Sequence, residues 1–199
     1  MPDGTGGRHH SRKNARIKVE LRTRMRAVRR GIPIASRRAA ARLAAVHALR
    51  IIGARRTVAV YLSIGDELGT GPLILALLRR RHRLCVPRIN GQSMAFVTIG
   101  PGTPLRLNRY GIAQPVGGSR VRRVDAVLLP LLAFDRSGKR LGQGGGHYDR
   151  ALASSRPYRR PLRIGYGFSM QEVPRVPAAA HDVDLHVIVT EAGVQWPTG

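Results

Sequence analysis

The sequence has few of the features that stabilise or anchor proteins outside the cytoplasm. It contains one cysteine, Cys85, so no disulfide can form within the chain. The longest apolar run, over 126–134, is far too short to span a bilayer, and the first thirteen residues lack the apolar segment of a secretory signal. We therefore expect a cytoplasmic protein without a membrane partner, preceded by a disordered basic tail over residues 1–13.

Acidic and aromatic residues are scarce as well. Eleven Asp and Glu oppose 35 Lys and Arg, and the resulting net charge of +24 attracts polyanions such as nucleic acid. Aromatic residues make up only 5% of the chain, however, and no aromatic-rich RNA-recognition motif accompanies the arginines. Because only three of the basic residues are lysines, we interpret the charge as a codon bias toward arginine. We expect no specific nucleic-acid partner; a basic RNA-binding accessory protein is the alternative.

The rest of the composition predicts one folded domain over residues 14–199. The chain has 199 residues, of which 43% are apolar, and this suffices for a single core. Apolar spacing predicts helices over 14–30, 35–52 and 71–81, and apolar runs predict strands over 57–62, 84–86, 94–97, 126–129, 162–167 and 185–190. This alternation favours a three-layer α/β/α domain with a mostly parallel mixed sheet.

Two of these helices carry apolar positions that we expect to face the core. In the first helix they are Ile17, Leu21, Met25 and Val28, and in the second Leu43, Val46 and Leu49. The segment over 100–119, rich in Gly and Pro, is predicted to be an ordered surface excursion, and 156–161 a basic turn.

The residues most typical of a ligand-binding site are concentrated between the strand at 126–129 and a helix beginning at His147. The glycines there allow sharp turns and can present several backbone N–H groups to one anion, with a helix N-terminus behind them. They are Gly142, Gly144, Gly145 and Gly146. Lys139 and Arg140 precede the glycines and Asp149 follows them, an arrangement that suits a nucleotide with Mg²⁺. The loop matches neither the P-loop nor the Rossmann pattern, so a glycine turn without a ligand is the alternative.

Other charged residues extend this hypothesis. Lys18 and Arg22 lie four residues apart on one helix face, where they can grip a polyphosphate or simply be solvated. Asp66 is interpreted as a cap of the helix over 71–81. Asp184 is predicted to join Asp149 on Mg²⁺, because this ion prefers one or two carboxylates together with substrate phosphates. A zinc site at His181, Asp182, Asp184 and His186 is less favoured, since no thiolate or H-E-x-x-H helix supports it.

The run A-F-D-R-S-G-K-R-L-G-Q-G-G-G-H-Y-D-R, over 133–150, resembles the signature of the 5-formyltetrahydrofolate cyclo-ligase family. Further segments resemble family landmarks in family order. They are K-V-E-L-R at 18–22, Y-L-S-I-G-D-E-L at 61–68, V-P-R at 86–88 and H-D-V-D-L-H-V-I-V-T-E at 181–191. The resemblance covers most of residues 16–192. It implies a fold related to sugar-isomerase and CoA-transferase domains.

The resemblance also implies an activity and the residues that perform it. The activity is ATP- and Mg²⁺-dependent conversion of 5-formyltetrahydrofolate to 5,10-methenyltetrahydrofolate, with release of ADP and phosphate. The implied catalytic residues are Lys139, Arg140 and Asp149, and the metal ligands Asp149 and Asp184. The implied ATP-binding residues are Lys18, Arg22, Arg140, Leu141, Gly142, Gln143, Gly144, Gly145, Gly146, His147 and Tyr148. The implied folate-binding residues are Leu62, Glu67, Gln143, Gly144, Gly145, Gly146 and His147.

Three positions differ from the family pattern, namely Gln143, His147 and Leu131, which follows Pro130 where the family has Pro-Gly. These differences leave open the alternative that the chain is a paralogue that uses ATP on another carbonyl or formyl substrate. We expect a monomer whose ligands are ATP and the folate.

Overall fold

The computed structural model describes residues 6–108, 111–153, 161–179 and 182–198, with side chains from residue 13 onward. The helices are α1 (Gly6–Arg30), α2 (Ile34–Ile52), α3 (Gly71–Arg79) and α4 (His147–Ala153), with a short 3-10 helix at Ser169–Gln171. The strands are β1 (Thr57–Ala59), β2 (Arg83–Asn90), β3 (Ser93–Ile99), β4 (Leu105–Leu107), β5 (Ala113–Pro115), β6 (Ala126–Pro130), β7 (Ala133–Phe134), β8 (Arg140–Leu141), β9 (Leu162–Tyr166), β10 (Val187–Thr190) and β11 (Gly193–Gln195).

Seven of these strands form one sheet in the order β11-β10-β9-β6-β1-β2-β3. The five central strands run parallel, and the two edge strands β11 and β3 pair antiparallel to their neighbours. In the centre, Val58 of β1 lies opposite Leu84 of β2 and Ala126 of β6. The prediction of a mostly parallel mixed sheet is confirmed.

The sheet separates two apolar layers, because successive side chains of a strand point to opposite faces. Val58 and Leu128 face α2 and α3, which cover one side. Ala59 and Leu129 face the other side, where α4 packs through Tyr148, Ala151 and Leu152. Strand β6 is buried on both faces, as its continuous apolar sequence predicts.

Helix α2 packs through alanines, which corrects one prediction. Its buried face consists of Ala40, Ala41, Ala44, Ala45, Ala48 and Ile52. Leu43 and Val46, expected to face the core, are 53% and 48% exposed, and Leu49 is half-buried. Small side chains allow the helix to lie close to α3 and the sheet, so the larger residues are on the outer face. His47 joins the helix to β10, because its Nδ1 lies 2.9 Å from the Thr190 carbonyl oxygen.

Helix α1 packs in a separate small apolar cluster around strands β7 and β8. Met25 is buried against Leu132 and Leu141, with Leu21 and Val28 beside it, while Ile17 is 37% exposed. The helix ends at Arg30 as predicted and begins before residue 14, at Gly6. The tail boundary at residue 13 stays a prediction, and residues 1–5 lie outside the described part of the chain.

Several short elements differ from the predictions. Strands β2 and β3 are longer than the strands predicted over 84–86 and 94–97, and they form a hairpin that turns at Gly91, where φ is 58°. The surface excursion contains a second hairpin, β4–β5. Strands β7, β8 and β11 were not predicted, and the basic turn predicted over 156–161 falls almost entirely outside the described residues. In the described ranges, no helix has both the length and the apolar character that crossing a bilayer requires.

The cap assigned to Asp66 is wrong. Helix α3 begins after Thr70, and no side chain caps its first turn. Asp66 instead accepts a hydrogen bond from Nη2 of Arg29, a guanidinium that is 3% exposed, at 2.5 Å. A buried cation is costly without a partner, so Asp66 serves to fix the end of α1 against the loop that follows β1.

The chain between β5 and β6 provides a test of this fold. Gly118 has φ of 101°, and a Cβ there would lie 2.5 Å from the carbonyl oxygen of Thr98. A Cβ on the neighbouring Gly117 would meet nothing within 4 Å, and its φ is not positive. We expect Gly118→Ala to lower the free energy of unfolding by about 2 kcal/mol or more and Gly117→Ala to change it by less than about 0.5 kcal/mol, measured by urea denaturation. Equal effects of the two substitutions would contradict the conformation of this turn.

Candidate functional site

A cleft of about 270 Å³ lies at the carboxyl ends of the central strands, where ligands bind in open α/β sheets. The glycine loop and α1 form one wall, and the segments after β1 and β6 form the floor. Most of the predicted site residues line it. They are Lys18, Arg22, Leu62, Glu67, Arg140, Leu141, Gly142, Gln143, Gly144, Gly145, Gly146, His147, Tyr148 and Asp149.

The glycine loop connects β8 to α4 and has two residues that require glycine. Gly144 and Gly146 have φ of 108° and 62°, a conformation that side chains rarely adopt. Among the described residues, no backbone N–H between Gly142 and Gly146 donates a hydrogen bond to the rest of the protein. Unpaired amide groups along an exposed loop beside cations are a suitable surface for phosphate oxygens.

Helix α1 is held against this loop by its basic side chains. Nε of Arg22 donates to the carbonyl oxygen of Gly142 at 3.0 Å, and Nη2 of Arg26 donates to Oε1 of Gln143 at 3.0 Å. Burial and the neighbouring Arg26 lower the pKa of Arg22, although a guanidinium stays charged in proteins. Lys18 donates to Oδ2 of Asp182 at 2.8 Å. The helix therefore brings cations to the loop and is itself positioned by the loop.

Arg140 is the most buried cation of the cleft. It is 9% exposed, and its Nη2 donates to Oδ1 of Asp149 at 2.6 Å. Its Nε has no hydrogen-bond partner among the described residues. A buried guanidinium with an unused N–H is costly unless an acceptor arrives, so this group is suited to an incoming anion.

Lys139 and Asp184 are the two predicted site residues that do not line the cleft. Nζ of Lys139 contacts both carboxylate oxygens of Asp184, at 2.6 and 2.7 Å. The structure thus does not place Asp184 with Asp149 in the cleft wall. Its neighbour Asp182, which sequence reasoning did not assign to the site, does line the cleft; the alternation that sends Asp182 and Asp184 in opposite directions was the available signal.

Glu67 occupies the apolar half of the cleft, beside Tyr61 and Tyr148. Its Oε2 accepts a hydrogen bond from the backbone N–H of Ile64 at 3.1 Å, and the side chain of Gln143 lies nearby. Burial raises the pKa of Glu67, and the Ile64 N–H, the charge of Arg29 and the Gln143 side chain only partly oppose the shift. Burial and the nearby Glu67 likewise raise the pKa of Tyr148. A carboxylate in such surroundings is suited to N–H donors of a ligand.

The structure does not gather the side chains that commonly bind metals into one cluster within the described residues. In the ranges that the structure describes, no group of three or more His, Cys, Asp or Glu side chains converges on one point. His181 lies outside those ranges, so the zinc hypothesis at this residue is not examined by the structure. His186 accepts a hydrogen bond from the backbone N–H of Arg163 at 3.1 Å, and burial lowers its pKa.

Comparisons with known proteins agree on one family. Residues 14–191 match the 5-formyltetrahydrofolate cyclo-ligase family. The 5-formyltetrahydrofolate cyclo-ligase of Escherichia coli K12 is 37% identical over 148 residues, which are 70% of this chain and 81% of that protein. The enzyme of the same name from Mycolicibacterium smegmatis is 30% identical over 90% of this chain and 96% of its own. The solved structure of Aquifex aeolicus 5,10-methenyltetrahydrofolate synthetase superposes with a TM-score of 0.75 at 29% identity, covering 92% of this chain and 94% of that one.

The raised pKa of Glu67 predicts a pH-dependent effect of Glu67→Gln. The folded protein favours the protonated carboxyl, so the ionised form destabilises it at pH above the folded pKa, and this cost is absent below the ordinary value of 4.5. We expect Glu67→Gln to stabilise the protein relative to the unsubstituted chain at pH 7 and to lose that advantage at pH 4. Urea unfolding at both values measures it.

The matched control is Glu20→Gln, because Glu20 is exposed on α1 and paired with Arg16. It should show no stabilisation that grows with pH. If Glu67→Gln changes stability equally at pH 4 and pH 7, the carboxylate is not held in a desolvating site.

Proposed function

Since the chain belongs to the 5-formyltetrahydrofolate cyclo-ligase family, we propose that it converts 5-formyltetrahydrofolate to 5,10-methenyltetrahydrofolate while cleaving ATP to ADP and phosphate. It is a ligase that forms a carbon–nitrogen bond at the expense of ATP. One observation supports assigning this function to the cleft: the same cleft contains a cationic glycine loop and an apolar half with Glu67.

The reaction consists of two displacements. The oxygen of the formyl group on N5 attacks the γ-phosphorus of ATP, and the bond from that phosphorus to the ADP oxygen breaks. N10 then attacks the activated formyl carbon and loses its proton, and the carbon–oxygen bond breaks to release phosphate. No protein nucleophile is required, so the protein contributes by orienting the reactants and stabilising charge on the phosphoryl group.

The phosphate half of the cleft is assigned to the cations and the loop. Lys18 and Arg22 supply two positive charges from α1, and the loop amides over 142–146 supply neutral donors. Arg140 lines the same cleft, and we assign its buried positive charge to the stabilisation of a phosphate group. Leu141, Gly142, His147 and Tyr148 shape the same wall.

The folate half is assigned to Glu67 and the apolar wall. A pterin ring carries amino and amide N–H donors, and the buried carboxylate of Glu67 is an acceptor for them. Leu62 and Gln143 of the glycine loop are also in the cleft lining. His147 lies in the cleft lining beside the glycines, where its ring can pack against the flat ligand.

Magnesium fits this cleft through Asp149. Its Oδ1 is occupied by Arg140 and by the backbone N–H of Val183, whereas Oδ2 has no hydrogen bond among the described residues. Mg²⁺ commonly takes one or two protein carboxylates with phosphate oxygens as further ligands, and when bound it neutralises charge on the phosphates. Asp184 is available as a second ligand only if it separates from Lys139. We assign to Lys139 the role of an ion-pair partner that holds Asp184 when no metal is bound.

The direct test combines purified protein, 5-formyltetrahydrofolate and ATP with Mg²⁺ and follows methenyltetrahydrofolate by its absorbance. We expect stoichiometric formation of ADP and methenyltetrahydrofolate. ATP cleavage with another formyl compound, without turnover of the folate, would instead favour a paralogue, for which Gln143 and His147 are the first residues to examine.

Lys18→Ala combined with Arg22→Ala tests the phosphate half. Because both side chains line the cleft beside the glycine loop, we expect the KM for ATP to rise at least tenfold and the KM for the folate to change less than threefold. Arg24→Ala is the matched control, since Arg24 is on the same helix but exposed outside the cleft. Equal increases in both KM values would remove these residues from the ATP site.

Asp149→Asn tests the metal assignment. The substitution keeps the shape of the side chain but removes its charge, so we expect an intact fold, a fall in kcat of at least a hundredfold and a requirement for higher Mg²⁺ concentration. Circular dichroism and rates over a Mg²⁺ titration measure this. Unchanged rates at every Mg²⁺ concentration would exclude Asp149 as a ligand.

A further inference from the structure

A second basic site lies at the opposite edge of the sheet, where the central strands begin. An open concavity there is lined by five arginines and one carboxylate. The arginines are Arg56, Arg83, Arg120, Arg122 and Arg123, and the carboxylate is Asp125. Arg56 precedes β1, Arg83 begins β2, and the other four residues precede β6. None of these residues lines the cleft described above.

The backbone beneath these arginines is fixed by hydrogen bonds to three strands. The N–H of Val121 donates to the carbonyl oxygen of Phe96 at 2.8 Å, and the N–H of Asp125 donates to that of Thr57 at 2.9 Å. The N–H of Arg83 donates to the carbonyl oxygen of Arg56 at 2.7 Å. Arg56, which precedes β1, and Arg83 of β2 are thereby held next to each other.

Two buried valines determine which side chains of the 120–125 segment face the solvent. Val121 and Val124 are 3% and 1% exposed and belong to the core beneath the sheet. Because they point inward, Arg120, Arg122 and Arg123 extend outward. The segment is therefore anchored in the core by its valines and presents three cations to the solvent.

The charge of the concavity is poorly balanced by the protein. In the described part of the chain, Arg56, Arg83, Arg120 and Arg122 form no ion pair. Asp125 uses Oδ2 to accept the N–H of Thr57 at 2.9 Å, and its Oδ1 is 3.8 Å from Nε of Arg123, a loose contact. Like charges gathered in a concave surface concentrate counter-ions, and guanidinium groups form paired hydrogen bonds with phosphate oxygens.

We propose that this concavity, defined by Arg56, Arg83, Arg120, Arg122 and Arg123, is a second anion site that binds a small oligophosphate. The ligand class follows from the lining. Five planar donors favour a multiply charged anion with several phosphate oxygens. No aromatic residue is in the lining to stack on a base, and single-stranded nucleic acids are bound mainly through such stacking.

Inorganic tripolyphosphate is the probe, titrated by calorimetry at about 0.15 M salt, where surface charges beyond about 8 Å are screened. The measurement uses full-length protein carrying Lys18→Ala and Arg22→Ala, which weakens binding in the cleft. Adding Arg83→Gln and Arg122→Gln should weaken the remaining saturable binding at least tenfold. Both side chains are exposed and form no ion pair within the described residues, so the fold should be retained.

Arg38→Gln with Arg42→Gln is the matched control, because it removes the same charge from two exposed arginines of α2 outside the concavity. It should weaken binding less than twofold. The proposal would be overturned in favour of a diffuse electrostatic field by either of two results. One is equal weakening by the two pairs of substitutions, and the other is the absence of saturable binding in the protein that carries neither pair. Tighter binding of a single-stranded 12-mer RNA through Arg83 and Arg122 would also overturn it, in favour of nucleic acid.

This test is independent of the enzymatic proposal. Arg83→Gln and Arg122→Gln in an otherwise unsubstituted chain should leave kcat and the KM for ATP within twofold, since neither residue lines the catalytic cleft. If turnover of the folate is absent from all proteins while tripolyphosphate binding follows the expected pattern, the second site stands and the catalytic assignment fails.

Discussion

The buried carboxylate of Asp135 organises the segment on which the cleft depends. Its Oδ1 accepts hydrogen bonds from the backbone N–H and the hydroxyl of Ser137 and from the N–H of Lys139, and its Oδ2 accepts one from the N–H of Val176. A buried carboxylate is tolerable only when its oxygens are satisfied in this way. The turn has no space for a side chain at Gly138, whose Cβ would lie 2.9 Å from the Leu185 carbonyl oxygen. The tight turn between β7 and β8 is thus held by the hydrogen bonds to Asp135 and by the close packing of Leu185 against Gly138.

This fixed turn determines where the charges of the cleft lie. It sets the direction of β8, and β8 delivers Arg140 and the glycine loop to the carboxyl edge of the sheet. The loop then receives Arg22 of α1 at the Gly142 carbonyl, so the helix depends on the loop for its position. The cations of the site are held by separate partners: Arg22 by the Gly142 carbonyl, Lys18 by Asp182 and Arg140 by Asp149.

Sequence patterns predicted the features that depend on strong local signals. The apolar run at 126–129 indicated a buried strand, which β6 confirms, and the following glycines indicated a sharply turning loop, in which Gly144 and Gly146 have positive φ. Anion binding by this loop stays a prediction. The orientation of α2 was not predictable from size alone: its alanines pack inward since α3 and the sheet lie close, and Leu43 and Val46 are left outside. Strands β7 and β8 have two residues each, too few for any periodicity. The contact of Asp66 with Arg29 joins distant segments, so no local pattern reveals it.

The net charge of +24 is unevenly distributed, and acidic groups balance it more closely in the cleft than at the opposite edge of the sheet. In the cleft, Glu67, Asp149 and Asp182 oppose the cations, and several of these groups are partly desolvated. At the opposite edge one carboxylate faces five exposed arginines. Salt screens exposed charges more than buried ones, so the field at that edge varies with ionic strength while the cleft is less affected. A general preference for arginine over lysine does not explain why the arginines at the starts of β1, β2 and β6 meet on one concave surface.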